Sequence, residues 1–97
     1  MNEEFISSGK LDDLAMAHAG LKAFVASEKC RKTKILAIFD NEEVGSGTRQ
    51  GAASTFLSDT LIRISEGLGM TPGEYRQMLA SSFMLSADNA HAVHPNQ

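Results

Sequence analysis

The sequence predicts an α/β fold, a three-layer arrangement in which helices flank a mostly parallel sheet. Residues 35–39 form an unbroken apolar run of strand length, and residues 83–87 form a second apolar segment. The first run lacks alternation, which is typical of a strand covered on both faces in a parallel sheet. Segments with helical periodicity precede and separate the two runs, and this alternation of element types favours βαβ units.

The chain begins with a predicted short strand at residues 4–7, which runs into Gly9. An amphipathic helix is expected over residues 12–28, because apolar side chains recur there at spacings of three and four. These are Leu11, Leu14, Ala17, Leu21 and Phe24. A charged connector at residues 29–34 leads to the central strand at 35–39.

Residues 41–50 resemble a loop, and a second helix is predicted over residues 50–67 from its apolar spacing. Gly67 and Gly69 supply the stop signal of this helix.

Thr71 is a favourable N-cap, and Pro72 suits the first helical position. A short helix is therefore predicted over residues 72–81, before the last strand at 83–87. No linker divides the chain, and 97 residues are expected to form one small domain at most.

Composition excludes several classes of function. The formal net charge of −3 argues against a nucleic-acid partner, which requires a basic surface. An acidic start without a long apolar stretch predicts no secretory signal and no membrane-spanning helix. The single cysteine, Cys30, cannot form an internal disulfide, and a cytoplasmic location is expected.

Carboxylates follow the predicted strands at the points where the strands end. They are Asp12 and Asp13 after the first strand, Asp40, Glu42 and Glu43 after the central strand, and Asp88 after the last. Ligands of open parallel sheets bind beyond the carboxyl ends of the strands. A divalent cation bound there would remove the mutual repulsion of these acids, so a metal site is expected.

Each acid also has a simpler interpretation. Asp12 or Asp13 could cap the first helix. Glu42 and Glu43 could be a solvated pair in a loop, and Asp88 could belong to an ordinary turn. Convergence of the three groups at one sheet edge weakens these alternatives together without excluding them.

Other chemistry has less support in the sequence. Gly45 and Gly47 suggest a phosphate-binding loop, but a dinucleotide fingerprint requires glycine where Gln50 stands. His91 and His94 have the spacing of a zinc-binding pair on a helix, although the nearby Pro95 disfavours a helix there.

Three segments, in order and spacing, resemble successive motifs of the aspartyl aminopeptidases, the M18 family of metallopeptidases. They are Lys10-Leu11-Asp12-Asp13-Leu14, then Asp40-Asn41-Glu42-Glu43-Val44-Gly45-Ser46, and then Ser86 through Asn96. The resemblance covers essentially all 97 residues. It implies a phosphorylase/hydrolase-like α/β domain that holds two zinc ions per complete site, with manganese or cobalt as substitutes.

The resemblance also implies residue roles. Asp12 would bridge the two metals, Glu43 would bind one of them and Asp88 the other. Glu42 would be the general base, which takes a proton from the attacking water and returns it to the leaving amine. The third motif also contains His91 and His94. The resemblance assigns them no metal role, and they could either contact the metal ligands or contact another subunit.

The sequence departs from the family pattern in length. Family members are several hundred residues long, and their sites use one histidine well upstream and another well downstream of these motifs. They also carry an inserted domain that builds a large homo-oligomer. Residues 1–97 are therefore expected to be a partial catalytic domain lacking its N-terminal part, inserted domain and C-terminal part.

The expected parent enzyme removes N-terminal Asp or Glu from peptides, whereas the isolated chain is expected to be inactive and to self-associate through uncovered apolar surface. One alternative is a non-catalytic metal-binding or assembly module. Another is a different co-catalytic metallopeptidase, against which the third motif, Asp88 through Asn96, argues.

Overall fold

A computed structural model describes residues 6–90 of the chain. Its regular elements there are three helices: α1 (Leu11–Ala26), α2 (Phe56–Gly67) and α3 (Pro72–Ala80). Residues 6–90 contain no β-strand. Within this range, none of the helices is both long enough and apolar enough to cross a membrane.

The predicted α/β fold with a mostly parallel sheet is therefore wrong for the described residues. Residues 35–39 and 83–87 both have irregular backbone. An apolar run indicates only that a segment suits a pleated, covered surface, and a strand also requires hydrogen bonds to a neighbouring strand. Phe83 is 89% exposed and Leu85 is 80% exposed, so no neighbour covers that segment.

The predicted strand at residues 4–7 lies partly outside the described residues, and Ile6 and Ser7 belong to no regular element.

The predicted helices are confirmed, with one large shift of a boundary. α2 begins at Phe56 rather than at residue 50, because turns occupy the intervening residues. In these turns the backbone N–H of Gly51 donates to Thr48 O at 3.3 Å, and that of Ser54 donates to Gly51 O at 3.0 Å. The period of three to four residues locates a helix well but gives its first turn poorly.

α3 matches its prediction closely because its N-terminus carries a complete capping box. The Glu74 backbone N–H donates to Thr71 Oγ1 at 3.3 Å, and the Thr71 backbone N–H donates to Glu74 Oε2 at 2.7 Å. Pro72 occupies the first turn as predicted. These bonds satisfy backbone donors that the helix itself leaves without partners.

The chain divides into two compact units. The first unit comprises the described residues up to Leu36 together with those from Ser86 onward. In it, Gly20 of α1 lies against Leu36, since a Cβ atom at Gly20 would be 3.3 Å from Leu36 Cδ1. The Lys34 ammonium donates to the Glu28 carbonyl oxygen and folds back the connector that follows α1.

The second unit spans Ala37–Leu85 and contains α2 and α3. The rings of Phe39 and Phe56 contact edge to face, with centroids 6.3 Å apart. Ser65 is buried, and its hydroxyl donates to Ile62 O at 2.7 Å. Across residues 6–90 no hydrophobic side chain is buried, so the described residues enclose no hydrophobic core.

Candidate functional site

The predicted site residues are distributed between the two compact units. Asp12 and Asp88 belong to the first unit, and Glu42 and Glu43 belong to the second. All four residues are exposed to solvent. His91 and His94, for which no metal role was predicted, lie outside the described residues.

Asp12 lies in the first turn of α1. The N-cap of this helix is Lys10, which has a left-handed backbone (φ 63°) and no capping side-chain hydrogen bond, so neither Asp12 nor Asp13 is the cap. The Asp13 backbone N–H donates to Asp12 Oδ1 at 3.1 Å. The positive end of the helix dipole favours a carboxylate at this position. Asp12 is exposed, so a cation in solvent can reach its carboxylate.

Asp88 lies in irregular backbone of the first unit, and the described residues around it form no turn. The Asn89 backbone N–H donates to Asp88 Oδ1 at 2.8 Å, and Asn41 makes the same bond to Asp40 at 2.8 Å. This bond holds one oxygen of each carboxylate beside its own backbone, and the second oxygen of a carboxylate can also accept bonds.

Glu42 and Glu43 lie in one tight turn of the second unit. The Gly45 backbone N–H donates to both Asn41 O and Glu42 O, each at 3.0 Å. The turn begins at Asn41 with φ 61° and ends at Gly45 with φ 114°. Glycine adopts such a conformation without steric cost, and asparagine is among the residues that tolerate the left-handed region best.

Two hydrogen bonds tie this turn to the segment before α2. The Asn41 side-chain Nδ2 donates to Gln50 Oε1 at 3.0 Å, and the Ala53 backbone N–H donates to Ser46 O at 3.0 Å. The first bond holds the beginning of the turn and the second holds the residue just beyond its end. Together they define a loop, residues 40–55, that presents the two glutamates.

Gly51 permits this closure because the backbone of Ser46 passes directly over it. A Cβ atom at Gly51 would lie 2.5 Å from Ser46 O, and Gly51 is buried. Sequence reasoning missed the roles of Gln50 and Gly51. The sequence did contain one signal, which is that Gly51 does not end a helix or a strand. Such a glycine often marks a close approach of two backbone segments.

The predicted metal ligands carry donor atoms of a kind that binds divalent cations. Asp12, Glu43 and Asp88 offer carboxylate oxygens, which bind zinc as well as harder cations such as manganese. His18, the histidine within residues 6–90, lies exposed on α1. The donor set therefore fits the oxygen-ligand part of a zinc site, and the bridging role of Asp12 stays a prediction.

Comparison with known proteins gives one family match across the chain. The model of the family described as "Aminopeptidase I zinc metalloprotease (M18)" matches residues 1–97. No solved structure matches the chain.

Curated relatives match over nearly the same range. "Probable M18 family aminopeptidase 2" of Clostridium acetobutylicum is 54% identical over 97 residues, which are 100% of this chain and 22% of the relative. "Probable aspartyl aminopeptidase" of Ricinus communis is 41% identical over 101 residues, covering 97% of this chain and 21% of the relative. The chain thus spans about a fifth of the length of these relatives.

Proposed function

The chain belongs to the M18 family of zinc metalloproteases, and from this membership we propose that residues 1–97 are part of the catalytic domain of an aminopeptidase. The proposed substrates are peptides with an N-terminal Asp or Glu. The match of the family model across residues 1–97 carries the proposal. The printed name of the Ricinus communis relative, an aspartyl aminopeptidase, supports the acidic preference.

Asp12, Glu43 and Asp88 are the proposed metal ligands, with Asp12 shared between two zinc ions. Their exposed carboxylates and the absence of a helix cap role for Asp12 support this assignment. Bound zinc would supply Lewis acidity, which lowers the pKa of an attacking water and polarises the scissile carbonyl group.

Glu42 is the proposed general base. Its carboxylate takes a proton from the attacking water as the new bond to the carbonyl carbon forms. The same proton then passes to the leaving amine nitrogen as the carbon–nitrogen bond breaks, so the products are a free N-terminal amino acid and a shortened peptide. The tied turn at Asn41–Gly45 supports this role, because a base must be held in reach of the proton.

The isolated 97-residue chain is proposed to be inactive, because it spans only 22% of the length of a matched relative. The complete enzyme is proposed to be a large cytoplasmic homo-oligomer with no nucleic-acid or membrane partner. The net charge of −3 supports the absence of a nucleic-acid partner.

A chimera tests the proposal. Residues 1–97 replace the matched segment of the Clostridium acetobutylicum relative, and hydrolysis is measured on chromogenic derivatives of Asp, Glu, Ala and Lys in the presence of zinc or manganese. The expected result is hydrolysis of the Asp and Glu derivatives, with at least tenfold lower kcat/KM for the others. A folded chimera that prefers Ala or Lys would contradict the acidic preference, and one without activity would contradict the proposed function.

A further inference from the structure

The side-chain hydrogen bond between Asn41 and Gln50 links residues nine apart across the loop of residues 40–55. Gln50 is exposed and precedes α2, so it neither belongs to this helix nor caps it. Its Oε1 atom accepts from Asn41 Nδ2 at 3.0 Å, a normal length for an N–H···O bond. We propose that Gln50 is a positioning residue that holds the turn bearing Glu42 and Glu43 through Asn41.

The backbone of Asn41 explains why such a tie matters. Asn41 has φ 61°, in the left-handed region, and Glu42 follows it directly. A residue with a side chain is less stable in that region than in the right-handed one, so surrounding contacts must keep it there. The Gln50 bond is one of these contacts. Others are the two bonds that Gly45 donates to Asn41 O and Glu42 O and the bond that the Asn41 backbone N–H donates to Asp40 Oδ1.

Loss of the Asn41–Gln50 hydrogen bond should lower the fraction of molecules in which the turn holds Glu42 and Glu43 in the active conformation. A single hydrogen bond between neutral groups shifts such an equilibrium by about two- to tenfold. Because Gln50 touches neither substrate nor metal in this proposal, the effect should appear in kcat and leave KM nearly unchanged. The inference rests on the proposed roles of Glu42 and Glu43.

The first measurement uses the 97-residue chain and reports the bond itself. Nuclear magnetic resonance follows solvent exchange of the Asn41 side-chain amide protons in the unchanged chain, in Gln50→Ala and in Arg49→Ala. Exchange should accelerate at least twofold in Gln50→Ala only. Equal exchange in all three would overturn the proposal, because the bond would then not protect the Asn41 amide.

The second measurement is a double-mutant cycle in the chimera. Gln50→Ala should lower kcat about two- to tenfold, and Arg49→Ala should leave it unchanged. Asn41→Gly removes the amide donor while glycine still permits the positive φ, so adding Gln50→Ala to it should cause no further loss. An equal loss from Gln50→Ala in both backgrounds would show that Gln50 does not act through Asn41 and would overturn the proposal.

The activity of the chimera distinguishes a failure of the proposed function from a failure of the positioning role of Gln50. An unsubstituted chimera without peptidase activity would overturn the proposed function and the positioning role with it. An active chimera that is insensitive to Gln50→Ala would overturn the positioning role alone.

Discussion

Phe39 and Phe56 close the loop that carries the two glutamates. Their rings meet edge to face at an interplanar angle of 83°, with centroids 6.3 Å apart. Phe39 immediately precedes Asp40, and Phe56 is the first residue of α2. Because the pair joins the two ends of residues 40–55, the loop is shaped by contacts within its own unit. Aromatic pairs of this geometry contribute about 0.5–1.5 kcal/mol beyond the area they bury.

Gly51→Ala should open this loop. The new methyl group would lie 2.5 Å from Ser46 O, so the backbone must shift and weaken the Ala53–Ser46 hydrogen bond. Inserting a methyl group into such a contact costs about 1–3 kcal/mol. Amide hydrogen exchange at Ala53 should therefore accelerate about five- to hundredfold.

Gly47→Ala is the matched control, since a Cβ atom there would meet nothing within 4 Å. Exchange at Ala53 that is equally slow in both variants would show that the two backbone segments do not approach as closely as described.

Glu42→Gln in the chimera should abolish most of the activity and leave the metal in place. The amide is nearly the same size as the carboxylate but cannot accept a proton, so kcat should fall by about 10²–10⁴. Metal content by elemental analysis should match that of the unchanged chimera. Glu66→Gln, a change at an exposed residue of α2, should leave kcat unaltered. Full activity in Glu42→Gln would remove Glu42 from the mechanism.

The N-terminus of α3 should lose order in acid. The backbone N–H of Thr71 and then its hydroxyl hold the pKa of Glu74 below its ordinary value of 4.5. A lowered folded-state pKa means that the stabilisation is fully present above 4.5 and is lost as the pH falls through the folded value. Carbon chemical shifts of residues 72–76 should therefore move toward unfolded values below about pH 4.5.

Glu74→Gln should remove most of this dependence, because glutamine can complete a capping box without a titrating proton. Glu66→Gln should retain it. The same acid transition in the Glu74→Gln variant would assign the effect to another group.

Self-association should depend on the apolar segment Phe83-Met84-Leu85. These side chains are 89%, 77% and 80% exposed, and no hydrophobic residue among positions 6–90 is buried. Contiguous exposed apolar side chains favour association between copies of a chain. Light scattering of concentrated samples should give a mass above that of a monomer, and Phe83→Ser combined with Leu85→Ser should lower it.

Val25→Ser combined with Val44→Ser changes two exposed apolar residues outside this segment and serves as the control. An unchanged chain that is monomeric at high concentration would contradict the prediction.

The sequence predicted the helices better than the fold class. Periodicity and the Thr71-Pro72 start are local signals, and α1 and α3 follow them closely. The predicted strands failed because a strand depends on a partner elsewhere, which no local pattern reveals. Residues 35–39 and 83–87 have strand-like composition but irregular backbone.

The residues of the candidate site come from the sequence motifs, and their roles stay predictions. The contacts that support the loop bearing two of them could not be predicted. Motif order located Asp12, Glu42, Glu43 and Asp88 along the sequence. The Asn41–Gln50 bond and the clearance at Gly51 depend on the path of the loop. No spacing rule gives that path, since turn residues specify single turns and not how successive turns fold onto one another.

The central claim is that aspartates of this chain bind metal. A zinc titration of the 97-residue chain by calorimetry tests it most directly. The unchanged chain is compared with an Asp12→Asn, Asp88→Asn variant and with Asp59→Asn, which alters an exposed acid on α2. We expect zinc binding by the unchanged chain and by Asp59→Asn, and at least tenfold weaker binding by the double variant. Equal binding by all three, or binding by none, would contradict the assignment of Asp12 and Asp88 as metal ligands in this chain.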